Sequence, residues 1–197
     1  MNIEEIQFHW RYFLSLERDV EILKNYIEIC DQNYSIHSME LFKILQLACA
    51  EIDSALRVLC KEIDPATNYH DETIFSGRIS DYKVTVYSRF PNIHKAEILV
   101  PGFPAPLKPW DEWQTVNSPD WWVGYNRAKH YRHSCYCSAN LKNMLMAMSA
   151  LMVVILYLYR LVANSTKANP SPAPKFFYSE YTSLNLVCAP NNELPDF

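Results

Sequence analysis

Apolar residues recur at steps of four and three from Ile6 through Trp10, Phe13, Leu16, Val20, Leu23 and Ile27, the period of an amphipathic α-helix and not the alternation of a strand. The pattern predicts a long first helix, from about Glu4 to Cys30, with one buried stripe. A polar break at Asn33, Tyr34 and Ser35 leads to Ser38, placed to cap a second helix. Its stripe runs Leu41, Leu45, Ala48, Ile52, Ala55, Leu56 and Leu59 and stops at Asp64-Pro65. Two long helices joined by a short loop pack antiparallel, so the hairpin is expected to form half of a bundle.

The periodicity then fades. Residues 65–117 carry Pro91, Pro101, Pro104, Pro106 and Pro109. Ser80 is a candidate cap for a short helix ending before Pro91, but Lys83 to Val86 also alternate, leaving that piece open between helix and strand. Glu97 to Val100 followed by Pro101-Gly102 reads as an extended segment and a turn. The region is expected to be an irregular, proline-rich insertion packed down by Phe103, Trp110 and Trp113, without a domain of its own.

Helical signals return at Ser118-Pro119-Asp120, a cap, a first-turn proline and a first-turn acid. A helix is predicted through WWVGYNRAKHYRH, with a kink or break near Ser134 to Ser138 and a further helix over Leu141 to Val162. Met144 to Tyr159 is apolar nearly all round, Ser149 excepted. That stretch is shorter than the roughly 20 residues a bilayer requires, so it is read as the core helix of a bundle and no membrane partner is expected. After Ala163 the stretch NSTKANPSPAP reads as a linker, and the remaining residues as a loosely docked tail using Phe176, Phe177 and Tyr178. The expected organisation is an all-α domain over 1–162, of about four core helices with the insertion at 65–117, then linker and tail over 163–197.

Composition adds two points. With 197 residues and 49% hydrophobic content the chain can bury one good core, and its acidic N-terminus lacks the features of a secretory signal, so a cytoplasmic location is expected. In that compartment the six cysteines are expected to be reduced. Charge is segregated: residues 1–64 hold 12 acids and 6 bases, whereas residues 121–160 hold 5 bases and no acid. A basic segment on an acidic protein suits an anionic ligand bound locally, although a solvated helix face has the same composition.

Candidate chemistry concentrates in that segment. There is no glycine-rich phosphate loop, no G-x-S-x-G and no H-E-x-x-H, which removes support for P-loop hydrolysis, serine-hydrolase chemistry and zincin proteolysis. His130, His133, Cys135 and Cys137 are zinc ligands by type, but one helix seldom aims more than two ligands at one metal, so neither metal nor cofactor is expected. Glu51 and Asp53 on the second helix, with Glu17 and Asp19 on the first, could suggest a carboxylate-bridged metal pair, but the Glu-x-x-His motif of such bundle sites is missing and most of these acids read as solvated. If the helix is continuous, Asn126, His130 and His133 share one face, and Tyr125, Lys129 and Arg132 the next. Histidine, guanidinium and amide within two turns can hold a phosphodiester, protonate a leaving oxygen and activate a ribose 2′-hydroxyl. A polar seam bonded to a neighbouring helix would use the same residues. Glu17, beside the first helix's buried stripe, is a candidate supporting acid for the basic helix.

SPDWWVGYNRAKHYRH followed by ANLKNMLMAMSALMVVILYLYR resembles a bacterial family of HEPN-like helical proteins. These carry a W-W-x-x-Y-N-x-x-K-H-x-R helix ahead of an A-x-L-x-N-x-L-x-A core helix. The likeness includes LACAEIDSALRVLCKEID and AEILVPGFPAPLKPWDEW and covers roughly residues 8–162. It implies a bundle that dimerises, placing R-x4-6-H helices of two copies across from each other. Active members cleave RNA without a metal, often in toxin–antitoxin or antiphage systems with a cognate antitoxin or regulatory protein. Carried over, Arg127 and His133 form an R-x5-H match, with Asn126 as the polar neighbour and His130 as the alternative histidine. The departure is that the residue at x4 spacing before His130 is Tyr125, not arginine. Two functions are therefore carried forward. One is a metal-independent endoribonuclease, using Arg127, His130, His133 and Asn126 for chemistry and Lys129, Arg132 and Tyr125 for substrate. The other is an inactive module of the same fold that binds nucleic acid, nucleotide or a protein partner.

Overall fold

The computed structural model describes residues 2–69, 77–164, 169–179 and 194–197. Its core is the helix α6 (Leu141–Ala163), buried on nearly every side, with α1 (Ile3–Leu23), α2 (Met39–Ile63) and α4 (Asp120–His130) packed around it. α3 (Ile79–Arg89) packs on α2, and a single-turn helix, α5 (Arg132–Cys135), follows α4. The chain is an all-α helical bundle, as the apolar periodicity predicts.

α1 is shorter than its stripe suggests. It opens on a capping box in which Asn2 and Glu5 satisfy each other's backbone N–H, and it closes at Leu23. Ile29 leaves the helix to be buried where the Pro101-Gly102 turn comes down on the backbone at Ile29. Gly102 holds φ at +92°, and a Cβ there would lie 2.3 Å from the Ile29 carbonyl oxygen, so that approach requires glycine. α2 is capped by Ser38, whose Oγ accepts the Leu41 N–H, and it ends at Asp64 before Pro65.

The insertion holds more regular structure than its prolines suggest. The ambiguous piece is helical: α3 starts after Arg78, whose N–H is accepted by Asp81, and Ser80 does not cap it. Glu97 to Val100 is extended as predicted, with Ile98 paired to Leu107 and Leu99 to Tyr178. Trp110 and Trp113 are fully buried with centroids 4.1 Å apart, and the Trp110 indole donates to the Ala150 carbonyl of α6 at 3.3 Å. The insertion thus closes the core.

At 23 residues α6 is long and apolar enough to cross a bilayer by length and composition, so the shorter apolar count drawn from sequence does not decide the question. Burial does. Within the bundle 78% of its most apolar window is covered by protein, as befits a core helix.

The docked part of the tail is tighter than predicted. Phe176 and Phe177 are buried, and the Trp10 indole donates to the Pro172 carbonyl at 2.8 Å. Glu17 organises this segment: its Oε1 accepts the N–H groups of Lys175, Phe176 and Phe177 at 3.0, 2.8 and 3.1 Å. Glu17 is therefore committed to the C-terminal segment, not to the basic helix, because three converging amides supply what a buried carboxylate needs. The final residues also dock, with Asp196 accepting from the Asn92 backbone and side chain and Phe197 stacked on Phe90. Cys188 lies outside the described residues; the other five cysteines are free thiols.

Candidate functional site

α4 is fixed from its buried side. Trp121, Gly124, Tyr125 and Ala128 form its core stripe, and the Trp121 indole donates to the Pro109 carbonyl at 2.8 Å. Its first free N–H, on Asp120, is taken by the Glu112 carboxylate at 2.7 Å, so the start lies one residue past the expected one and Ser118 is not the cap. Gly124 lets α4 cross close to α6: a Cβ there would come within 2.3 Å of the Asn143 amide nitrogen, which donates to the Ser138 carbonyl at 2.8 Å.

These contacts aim the rest of α4 outward. Asn126 is half-buried and Arg127 and His130 are exposed, at spacings that put all three on the face opposite the core stripe. Tyr125 and Lys129 lie on the flank toward α2. The Lys129 ammonium stands 5.3 Å from the Tyr125 ring centroid and near Cys49, and Asp53 lies within electrostatic reach of the Tyr125 phenol. Burial, reinforced by Cys49, pushes the Tyr125 phenol up, while Lys129 opposes the shift. Burial likewise pushes the Cys49 thiol well up against the pull of Lys129, which leaves a neutral thiol and no nucleophile.

The helix does not run through the whole predicted stretch. Tyr131 leaves helical geometry at φ −124° and ψ 44°, and α5 sets off in a new direction, earlier than the expected break near Ser134. His133 therefore does not continue the Asn126–His130 face. Arg132 packs on α2, its guanidinium 4.5 Å from the Phe42 ring centroid and its Nη2 2.9 Å from Met39 Sδ. His133 is exposed on α5.

Among the described residues, no hydrogen bond or ion pair engages the side chains of Asn126, Arg127, His130 or His133. No group of three or more His, Cys, Asp or Glu side chains is placed to hold a metal ion among those same residues. The surface is basic and exposed, so it can receive an anion; among the described residues no carboxylate is hydrogen-bonded or ion-paired to either histidine.

Two polar clusters were not anticipated, since Glu51 and Asp53 read as solvated. His9 Nδ1 lies 2.5 Å from Glu51 Oε1 between α1 and α2, both groups mostly buried. Asp53 accepts from Arg57 Nε at 2.8 Å and from the Tyr82 hydroxyl at 2.9 Å, tying α2 to α3. The Asp53–Arg57 pair is legible as i, i+4 spacing; the His9–Glu51 pair, 42 positions apart, has no local signal. Both join helices. Comparison of the chain with protein-family models, curated proteins and solved structures gives no match.

Proposed function

We propose that the chain is a metal-independent endoribonuclease of HEPN type, acting on RNA as a homodimer and held in check by a cognate antitoxin or regulatory protein of a defence system. The observation that carries this reading is the outward face of α4, where Asn126, Arg127 and His130 are accessible and uncommitted. An inert polar seam would have satisfied these groups against a neighbouring helix.

In the proposed reaction one histidine accepts the proton of a ribose 2′-hydroxyl as that oxygen attacks the adjacent phosphorus. A second histidine protonates the departing 5′-oxygen, leaving a 2′,3′-cyclic phosphate and a 5′-hydroxyl. Arg127 neutralises charge on the phosphorane and Asn126 orients the non-bridging oxygen. One copy offers His130 on the α4 face, with His133 as the alternative beyond the break, so the second histidine comes from the other copy. Lys129 and Arg132 extend the positive surface along the strand.

The helix break at Tyr131, and the fact that no carboxylate among the described residues is hydrogen-bonded or ion-paired to either histidine, favour a second reading, a module that binds without cutting. Incubating a mixed RNA pool in EDTA with folded wild type, Arg127→Ala, His130→Ala and His133→Ala separates the two. Cleavage by the wild type that Arg127→Ala and one histidine variant abolish supports the nuclease. Retarded but intact RNA under the same conditions establishes the module.

A further inference from the structure

Residues 121–136 include two tryptophans and three tyrosines, and four of these five rings are occupied within the chain. Trp121 packs on Trp110 and Trp122, Trp122 also on Tyr125, and Tyr136 on His37 and Phe42. Tyr131 is the exception. It is 60% exposed, and among the described residues its ring meets no other ring or cation and its hydroxyl makes no hydrogen bond. Its backbone is in the opposite condition: the N–H donates to the Arg127 carbonyl at 2.9 Å, and the carbonyl accepts the Ser134 and Cys135 N–H groups at 3.0 and 2.7 Å. The residue is clamped at the helix break while its ring is left to solvent.

We infer that Tyr131 is the stacking platform for an unpaired nucleobase beside the scissile phosphate, an assignment that rests on the reading of this segment as an RNA site. Charge and chemistry select this occupant. Lys129, His130, Arg132 and His133 flank the ring, all four exposed, and residues 121–160 contain no acid. On α2, which packs against the segment, Glu40 beside Met39 is paired with Lys43, and Asp53 with Arg57 and the Tyr82 hydroxyl. A free aromatic face set among cations is the composition of a single-strand site, in which the cations hold the phosphates and the ring takes a base. Bases inside a duplex already stack on both sides and cannot use the ring, so the strand is unpaired at this point. Tyr125, the tyrosine that the sequence assigns to substrate, cannot do this: it is 8% exposed, with Trp122 and Lys129 on its ring. Tyr131 lies between His130 on α4 and His133 on α5, so a base stacked there belongs to a nucleotide next to the phosphate those histidines serve.

The test is binding to a labelled 2′-O-methyl oligoribonucleotide of mixed sequence, which lacks the attacking hydroxyl, followed by fluorescence anisotropy at one fixed salt concentration. The same backbone without bases and a duplex of the same sequence serve as comparisons, and circular dichroism shows retained helix. Tyr131→Ala and Tyr131→Leu should weaken binding of the single strand about tenfold, whereas Tyr131→Phe, which keeps the ring, should bind as wild type does. Binding of the abasic strand and of the duplex should be unchanged in all three variants, because phosphate contacts do not use the ring. The inference is overturned by a Tyr131→Ala protein that binds the single strand as wild type does, by an equal loss on the abasic strand, or by a leucine that serves as well as phenylalanine. Wild type that binds none of the three also overturns it and leaves the ring to a protein partner. Failure here is distinct from failure of the nuclease reading: a chain that cuts RNA in EDTA yet is indifferent to Tyr131 keeps the nuclease and loses the platform, and one that binds through Tyr131 without cutting does the reverse.

Discussion

Glu17 on α1 and the Arg127–His130 pair on α4 are both charged clusters on helices of one bundle, and they stand in opposite conditions. Glu17 is 2% exposed and its carboxylate receives three converging amide donors. Arg127 and His130 are exposed, and their side chains have no hydrogen-bond partner among the described residues. A polar group used up inside the chain contributes to stability; one left open at the end of a rigid helix is free to meet something else. Substitution should therefore separate the two sites by which observable moves.

The largest loss of stability is expected at Glu17. Glu17→Ala removes the acceptor of three backbone amides, two of whose bonds are buried, and should cost about 3–5 kcal/mol in urea unfolding. Glu17→Gln keeps an acceptor oxygen at the same reach and should lose less. If Glu17→Ala unfolds with the wild-type midpoint, the C-terminal segment is not docked through this carboxylate and the contrast with α4 fails.

Gly102→Ala comes next, at about 3 kcal/mol. The added Cβ would sit 2.3 Å from a backbone oxygen that no rotamer change can move, in a φ region of +92° that alanine rarely adopts. Gly124→Ala should cost less, about 1–2 kcal/mol, because the atom it meets belongs to the Asn143 side chain. In a double-mutant cycle Asn143→Ala should remove most of that cost, which would show that α4 is held at this crossing.

What could be read from the sequence follows from the range of each signal. Ser38 as cap, the stop at Asp64-Pro65 and the buried faces of α1 and α2 are set by neighbours within a turn or two, and all were legible. Glu17 was legible as a buried acid but not in its role, because its partners lie 158 to 160 positions away. The basic segment was legible in composition. Its geometry was not, since the turn at Tyr131 is made by a tyrosine in a stretch with neither glycine nor proline to announce a break.

The smallest effect on stability is expected where the functional effect is greatest. Arg127→Ala and His130→Ala each remove an exposed side chain with no hydrogen-bond or ion-pair partner among the described residues, so unfolding free energy should stay within about 0.5 kcal/mol of wild type. Under the nuclease reading the same substitutions should lower cleavage by about a hundredfold or more, the usual worth of a positioned acid or base or of a charge on a transferring phosphoryl group. His133→Ala completes the comparison. Should His133→Ala alone abolish cleavage, the chemistry belongs to α5 and the turn at Tyr131 is what aims it. If His130→Ala does so, the α4 face is the site and Arg127 acts one turn before it. A loss of stability above about 1 kcal/mol for Arg127→Ala or His130→Ala would mean that these side chains have partners within the protein after all, and the opposition between a closed site at Glu17 and an open one on α4 would no longer hold.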